Sequence, residues 1–309
     1  MQSLCPSHAN ASDTNPRYPK TEIFYQPEFH NIGLCLSAPL VGSSLKADVN
    51  SGGVKQYDFI NTYGATALAV DFAIDSQNTV AVSDDYGNEG QTLTLAPAFG
   101  GASGKAQNSG FGDIHVTFKH QTEFSEKFLY YGLDVNASVG NRKKMTLVPP
   151  VTQIDGTRNS GGVGFTPYIG ILKNLGGKTQ GGLKVSYHYM LDRKLEIQGA
   201  GIDTVSGLQE LTLQPFIEWV RPDFLILSSV GLKAVSAGTY NLATSGSYSL
   251  ASSMDYFFRG EVLYRWLENF DFFLQLNGDL VFGEPQLAPS TDPVNSTKFA
   301  AYFGARIAL

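Results

Sequence analysis

Asp113, His115 and Asp134 are the residues of this 309-residue chain whose types could perform acid–base or nucleophilic chemistry together. Asp113 and His115 share one face of a strand, and Asp134 falls on the following strand. Residues i and i+2 on a strand lie about 6.5–7 Å apart, too far for a direct dyad without help from a neighbour. A hydrolase built on Asp113 and His115 is therefore a minor reading, and no catalytic residue is expected. His, Cys, Asp and Glu show no metal-ligand spacing. The glycine-rich NSGGVGF (159–165) precedes a strand rather than a helix, so it is not a phosphate loop. Neither metal nor cofactor is expected. Asp84, Asp85 and Glu89 read as a solvated acidic cluster in a loop. Cys5 and Cys35 are the only cysteines; a bridge in an oxidising compartment and two free thiols fit equally well.

A larger set of polar residues recurs at every second position of apolar strands. It comprises Asp113, His115, Lys119, Asp134, Asn136, Lys184, His188, Glu210, Glu218, Asp255, Arg259, Glu261, Arg265, Asp279 and Arg306. Both signs of charge are present, which predicts ion-paired ladders rather than a filter of one sign. The chemistry such a row performs is the lining of a wet passage.

The elements that would position this row alternate with period two. In KFAAYFGARIAL (298–309), Phe299, Ala301, Phe303, Ala305, Ile307 and Leu309 oppose Lys298, Ala300, Tyr302, Gly304, Arg306 and Ala308. Successive strand side chains point to opposite faces. The same pattern marks 129–139, 181–191, 211–219, 253–266 and 272–282, whereas helical spacing appears nowhere at comparable length. Strands are expected near 31–43, 61–73, 78–86, 111–121, 127–140, 160–173, 179–192, 208–220, 224–236, 250–266, 272–283 and 298–309, about twelve in all. Short connections at 74–78, 123–127, 174–179, 221–223 and 268–271 alternate with long polar ones near 87–110, 141–159, 193–207, 237–250 and 284–296. Tight turns at one end and long loops at the other are the layout of an outer-membrane barrel. The expected fold is all-β: a transmembrane up-and-down antiparallel β-barrel with short periplasmic turns and long extracellular loops. It spans 31–309, after a periplasmic N-terminal segment at 1–30. Trp219 and Trp266 each stand just before a short turn, which assigns both to one membrane interface. Pro39, Pro167 and Pro215 fall inside strands, where bulges or kinks are expected. The segment 91–107 also alternates, as a hairpin in the first long loop or as extensions of its flanking strands. The loop at 87–110 is long enough to fold inward as a gate.

Composition agrees. Aromatics reach 12%, glycines number 33, and only 16% of residues are charged, against about 25% in a typical soluble domain. No window approaches the roughly 18–20 apolar residues of a spanning helix. A net charge of −6 without a basic patch argues against nucleic acid as a partner. Residues 1–16 carry neither a basic start nor an apolar h-region, which reads as a mature chain bearing a start methionine.

The stretch NSGFGDIHVTFKHQTEFSEKFLYYGLDVNASVGNRK (108–143) resembles the phenol-degradation meta-pathway family of outer-membrane proteins. Their Ser-Gly-Leu-Gly-Asp-like motif reads Ser109-Gly110-Phe111-Gly112-Asp113 here. The final strand is similar to the C-terminal signal that the outer-membrane assembly machinery reads, although it ends in Leu309 rather than Phe or Trp. The resemblance implies a channel for small hydrophobic or aromatic compounds.

The expectation is thus a channel in the bacterial outer membrane, passively conducting small solutes through a narrow charged lumen. Barrels of about eight strands are filled by side chains and those of 16–18 leave an aqueous channel; about twelve lies between. The partners expected are the lipid bilayer, the assembly machinery and a small-molecule solute. A structural or surface-interaction barrel without transport, its loops performing recognition, is the other reading open.

Overall fold

The computed structural model describes residues 32–308, apart from 52–53, 76, 102, 125–126, 140–142, 149–152, 199–200, 222, 244–245, 251, 268–269 and 285–293. The segment 1–30, Cys5 and the Cys35 side chain lie outside what is described.

β1 (Ile32–Ser51) and β2 (Val54–Ala73) form a long hairpin. β3 (Asn78–Leu95), a 3₁₀ turn at Pro97–Phe99, β4 (Ser103–Phe111), β5 (Asp113–Phe124) and β6 (Lys127–Ser138) follow. The short β7 (Lys143–Val148) and β8 (Gln153–Thr157) precede β9 (Val163–Gly176) and β10 (Thr179–Met190). Another short pair, β11 (Arg193–Ile197) and β12 (Gly201–Val205), leads to β13 (Leu208–Val220) and β14 (Phe224–Val235). β15 (Gly238–Asn241) and β16 (Ser247–Leu250) then lead to β17 (Ser253–Leu267), β18 (Phe270–Glu284) and β19 (Val294–Ala308). All nineteen belong to one sheet.

Among the described residues nineteen strands replace the expected dozen, because the long connections carry strands of their own. β1, β2, β3, β5, β6, β9, β10, β13, β14, β17, β18 and β19 pair successively and antiparallel, and β19 pairs with β1 from Gly33↔Ala308 to Ala47↔Ser296. The seven short strands extend the sheet at the long-loop end. Two of their pairings, β4 with β8 and β7 with β11, are parallel, a departure from the all-antiparallel expectation. The 91–107 segment forms the β3–β4 hairpin, from Tyr86↔Phe111 to Thr94↔Ser103. It therefore supplies no inward gate.

The alternation read from sequence sets which face is covered. On β19, Lys298, Ala300, Tyr302, Gly304 and Arg306 are buried while Phe299 and Phe303 are exposed. On β13 the exposed row is Leu211, Leu213, Pro215, Ile217 and Trp219. The distribution is inverted relative to a soluble domain. Asp134, Lys184, Glu218 and Arg306 are at most 2% exposed, whereas Val116, Phe258, Leu280 and Phe303 stand at 44–50%. Charged groups are almost never fully buried unless paired, and a continuous exposed apolar belt marks a surface covered by something other than water.

The prolines divide. Pairing of β1 with β19 shifts register at Pro39/Val41, the expected bulge. Pro167 and Pro215 cause no shift, contrary to expectation. Each stays in register with one neighbour, Leu133↔Pro167 and Leu183↔Pro215, while pairing to the other neighbour lapses locally and resumes in the same register. A proline lacks one donor only, so one side of the ladder is unaffected.

Close packing inside the sheet depends on two reciprocal pairs. A Cβ at Gly170 would lie 2.0 Å from the Tyr130 ring, and one at Gly132 would lie 2.5 Å from the Tyr168 hydroxyl oxygen. These positions face each other across β6 and β9, Tyr130↔Gly170 and Gly132↔Tyr168. Each ring therefore lies flat over the glycine opposite.

Candidate functional site

The buried face changes character along its length. Nearest the short turns, Asn174, Lys178, Gln180, Val220, Leu225, Leu263 and Arg265 line a cup of about 560 Å³. Leu225 and Leu263 belong to an apolar cluster above it, completed by Tyr130, Tyr168, Leu172, Phe216, Leu227 and Phe273. These residues come from β6, β9, β13, β14, β17 and β18, so the cluster reaches across the buried face from several sides. Beside the cup, Asp271 accepts from Arg306 Nε at 3.0 Å and more weakly from Arg265 Nε at 3.4 Å. One carboxylate thus serves two guanidiniums.

Beyond the apolar cluster the face is charged. Lys184 Nζ lies 5.5 Å above the Tyr168 ring and Lys119 Nζ 5.9 Å above that of Tyr130, within the range of cation–π attraction. Asp134 Oδ2 is 3.0 Å from His115 Nδ1, and Asp134 Oδ1 accepts from Thr117 Oγ1 at 2.8 Å. Thr166 Oγ1 and His188 Nδ1 are hydrogen-bonded at 2.8 Å. On the opposite arc, Lys233 pairs with Asp255 at 3.0 Å, and Arg259 Nη1 with Asp279 at 2.7 Å while its guanidinium covers Phe257. Alternating signs on adjacent strands offset most of the desolvation cost that each ion would bear alone.

The His115–Asp134 contact is the cross-strand partner that an imidazole would need in order to act as a base. The threonine hydroxyls beside it are engaged, Thr117 with Asp134 and Thr166 with His188. The arrangement is that of a structural ladder.

The highest layer is formed by the motif Ser109–Asp113. β4 and β5 are one strand broken at Gly112, whose N–H donates to the Asp85 carbonyl at 2.9 Å, and Gly110 has φ +108°. Asp113 Oδ1 accepts from Ser160 N at 2.8 Å and Ser138 Oγ at 3.1 Å, and Asp113 Oδ2 from Asn136 Nδ2 at 3.0 Å. Arg158 forms an ion pair with Asp85 and donates to the Gly110 carbonyl at 3.1 Å.

Of the fifteen residues assigned to the wet face, Arg265 is half-buried and the other fourteen, including Lys119, Asn136, Glu218, Glu261 and Asp279, are buried. Sequence reasoning missed Asp71, Asp85, Arg158, Lys233 and Asp271, all buried as well. Asp85 is no solvated loop acid, because β3 continues through it and the strand parity of Ala81 and Ser83 turns it inward. Asp271 required only that the strand at 272 begin two residues earlier. Arg158, in TQIDGTRNSGG, left no signal, since its surroundings have the composition of a surface loop. Trp219 and Trp266 are exposed at the short-turn end. Arg221 lies 4.7 Å from the Trp219 ring, and Trp266 stacks on Phe272 at 5.6 Å.

No protein-family model and no curated protein matches the chain. Solved structures do. The fold is similar to that of an outer membrane channel from Pseudomonas putida F1, at 12% identity and TM-score 0.60, covering 93% of this chain and 98% of that one. Looser likenesses are the NanC porin, at 9% identity and TM-score 0.44 over 87% of this chain and 100% of that one, and a TodX monoaromatic hydrocarbon channel, at 9% and 0.45 over 96% and 93%. At 12% identity the first of these is a likeness of fold, here one antiparallel up-and-down sheet. The narrower family suggested by Ser109–Asp113 has no matching model behind it.

Proposed function

We propose that the chain is a closed barrel of the bacterial outer membrane through which small solutes diffuse passively, apolar ones preferentially. The observation carrying this reading is the inverted burial. Charged side chains pair on the covered face, and a continuous belt of Phe, Leu, Ile, Val and Tyr is left for lipid. The ends of β1 and β19, the short turns and the two tryptophans then lie at the periplasmic interface. The N-terminal segment lies in the periplasm, and the last strand is the handle for the assembly machinery.

The buried residues named above line the lumen, which is narrow because their side chains fill it. Its two layers differ in what they permit. The charged layer hydrates a passing solute. The apolar cluster strips water from it, a barrier to ions and a lesser one to uncharged aromatic or aliphatic molecules. Hydrocarbon passage, named for the TodX channel, has a counterpart here in that cluster.

Reconstituted protein is expected to show low ionic conductance in planar bilayers and measurable uptake of small uncharged solutes into liposomes. Phe216→Ala should raise ionic conductance about two-fold or more, because Phe216 packs over Gly182 within the apolar cluster and its removal leaves space that water can enter. Liposomes impermeable to every small solute would refute transport and leave the structural-barrel reading.

A further inference from the structure

We infer that the strap Arg158–Gly162, between β8 and β9, is the extracellular constriction of the lumen, and that the Arg158–Asp85 pair sets which sign of ion passes it. This inference rests on the channel reading above and names the residues that govern its selectivity.

Sequence composition assigns the strap to a surface loop, yet Arg158, Asn159 and Ser160 are 1%, 5% and 6% exposed. It is fixed on both sides. Towards β3 and β4, Arg158 holds Asp85 and the Gly110 carbonyl. Towards β6, Asn159 Nδ2 donates to the Val139 carbonyl at 3.1 Å, the Ser160 and Ser138 hydroxyls are 3.1 Å apart, and Gly162 N donates to Ser138 Oγ at 2.9 Å. Ser160 N–H reaches Asp113. Gly161 turns the chain with φ +79°, where a Cβ would stand 2.6 Å from the Lys194 carbonyl oxygen.

The strap reaches the lumen rather than the outer rim. Asp85 follows Ala81 and Ser83 on the buried row of β3, and its carboxylate directs the guanidinium inward. Asp85 is in register with Gly304 of β19 through Asp85↔Ala67, Ala67↔Ser37 and Ser37↔Gly304, and Tyr302, two residues from Gly304, is buried as Asp85 is. β19 is separated from β3 by β1 and β2, so the covered face carries Asp85 and Tyr302 across four strands. The strap lies at the level of the break between β4 and β5, where β3 passes from pairing with β5 to pairing with β4. A cation and an anion at one narrow level cancel; removing either exposes the other to the passing ion.

Reversal potentials across a salt gradient test this. Arg158→Gln is expected to shift the cation-to-anion permeability ratio upward by about three-fold, and Asp85→Asn downward by a similar factor. A strap with only a structural role would not give shifts of opposite sign. The exchange variant Asp85→Arg/Arg158→Asp should return the ratio towards the parent's, and heat-modifiable gel mobility identifies variants that have folded. Absence of any parent conductance would overturn the inference, and the channel reading with it if liposomes also proved impermeable to every small solute. Parent conductance with unchanged ratios in the folded single variants, or shifts of the same sign, would overturn the inference alone. Should both single variants fail to fold, an exchange variant that folds without restoring the parent ratio would overturn it too.

Discussion

Leu276→Arg is expected to destabilise the folded protein in lipid vesicles by about 2–4 kcal/mol, the cost of a guanidinium at the bilayer midplane of a barrel. Leu276 sits in the middle of β18, on the exposed row, paired with Gly260 and Ala301. Its neighbours on that row, Leu274 and Leu280, offer no counter-ion. Ile74, more exposed at 62% but at the end of a short turn, provides the depth control: Ile74→Arg should cost only about 0–1 kcal/mol. In a soluble protein both substitutions would be surface changes within about ±0.5 kcal/mol. Urea titration of refolding into vesicles measures both. Equal, small effects at the two depths would contradict a lipid-facing belt.

The second large effect lies on the other face. Asp271→Ala is expected to cost about 3–5 kcal/mol, because it leaves the buried Arg306 guanidinium without its counter-charge. Arg265, whose side chain is 22% exposed, can hydrate and adds little. Replacing both partners, Asp271→Leu with Arg306→Leu, should recover most of that loss, since a removed pair leaves no orphaned charge. A double variant as unstable as Asp271→Ala would show that the pair contributes more than mutual compensation. The same titration reads all three proteins.

These two expectations depend on a face assignment that was legible in the sequence wherever one row is polar. Residues 298–307, 253–266 and 272–282 each contrast an apolar row with a charged one, and the structure covers the charged row in every case. β14 is different. Its buried row begins Leu225, Leu227, Ser229 and its other row Ile226, Ser228, Val230. Where the apolar cluster fills the interior, both faces of a strand are apolar and hydropathy has no contrast to report. Lys233 was missed for that reason.

The strand excess has another cause. Polar, glycine-rich connections such as 193–207 satisfy backbone groups by pairing with one another, as β11 does with β12 and β7 with β11. Such pairing needs no apolar row, so period-two patterning cannot announce it. The strap was invisible on the same ground: Arg158 is held by an ion pair and a carbonyl, and its burial depends on Asp85, distant in sequence. The Ser109–Asp113 motif fared better. Its glycines mark the break between β4 and β5, and its aspartate organises Ser138, Asn136 and Ser160.

Spin labels placed singly at positions 299–306 of the last strand give the most direct test. Collision with dissolved oxygen, which concentrates in the hydrocarbon, should be high at 299, 301, 303 and 305 and low at 300, 302, 304 and 306. A water-soluble relaxant should fail to reach the first set. Were that relaxant to reach Phe303 and Ala305 positions freely, or the two-residue rhythm be absent, lipid would not be what covers the outer row.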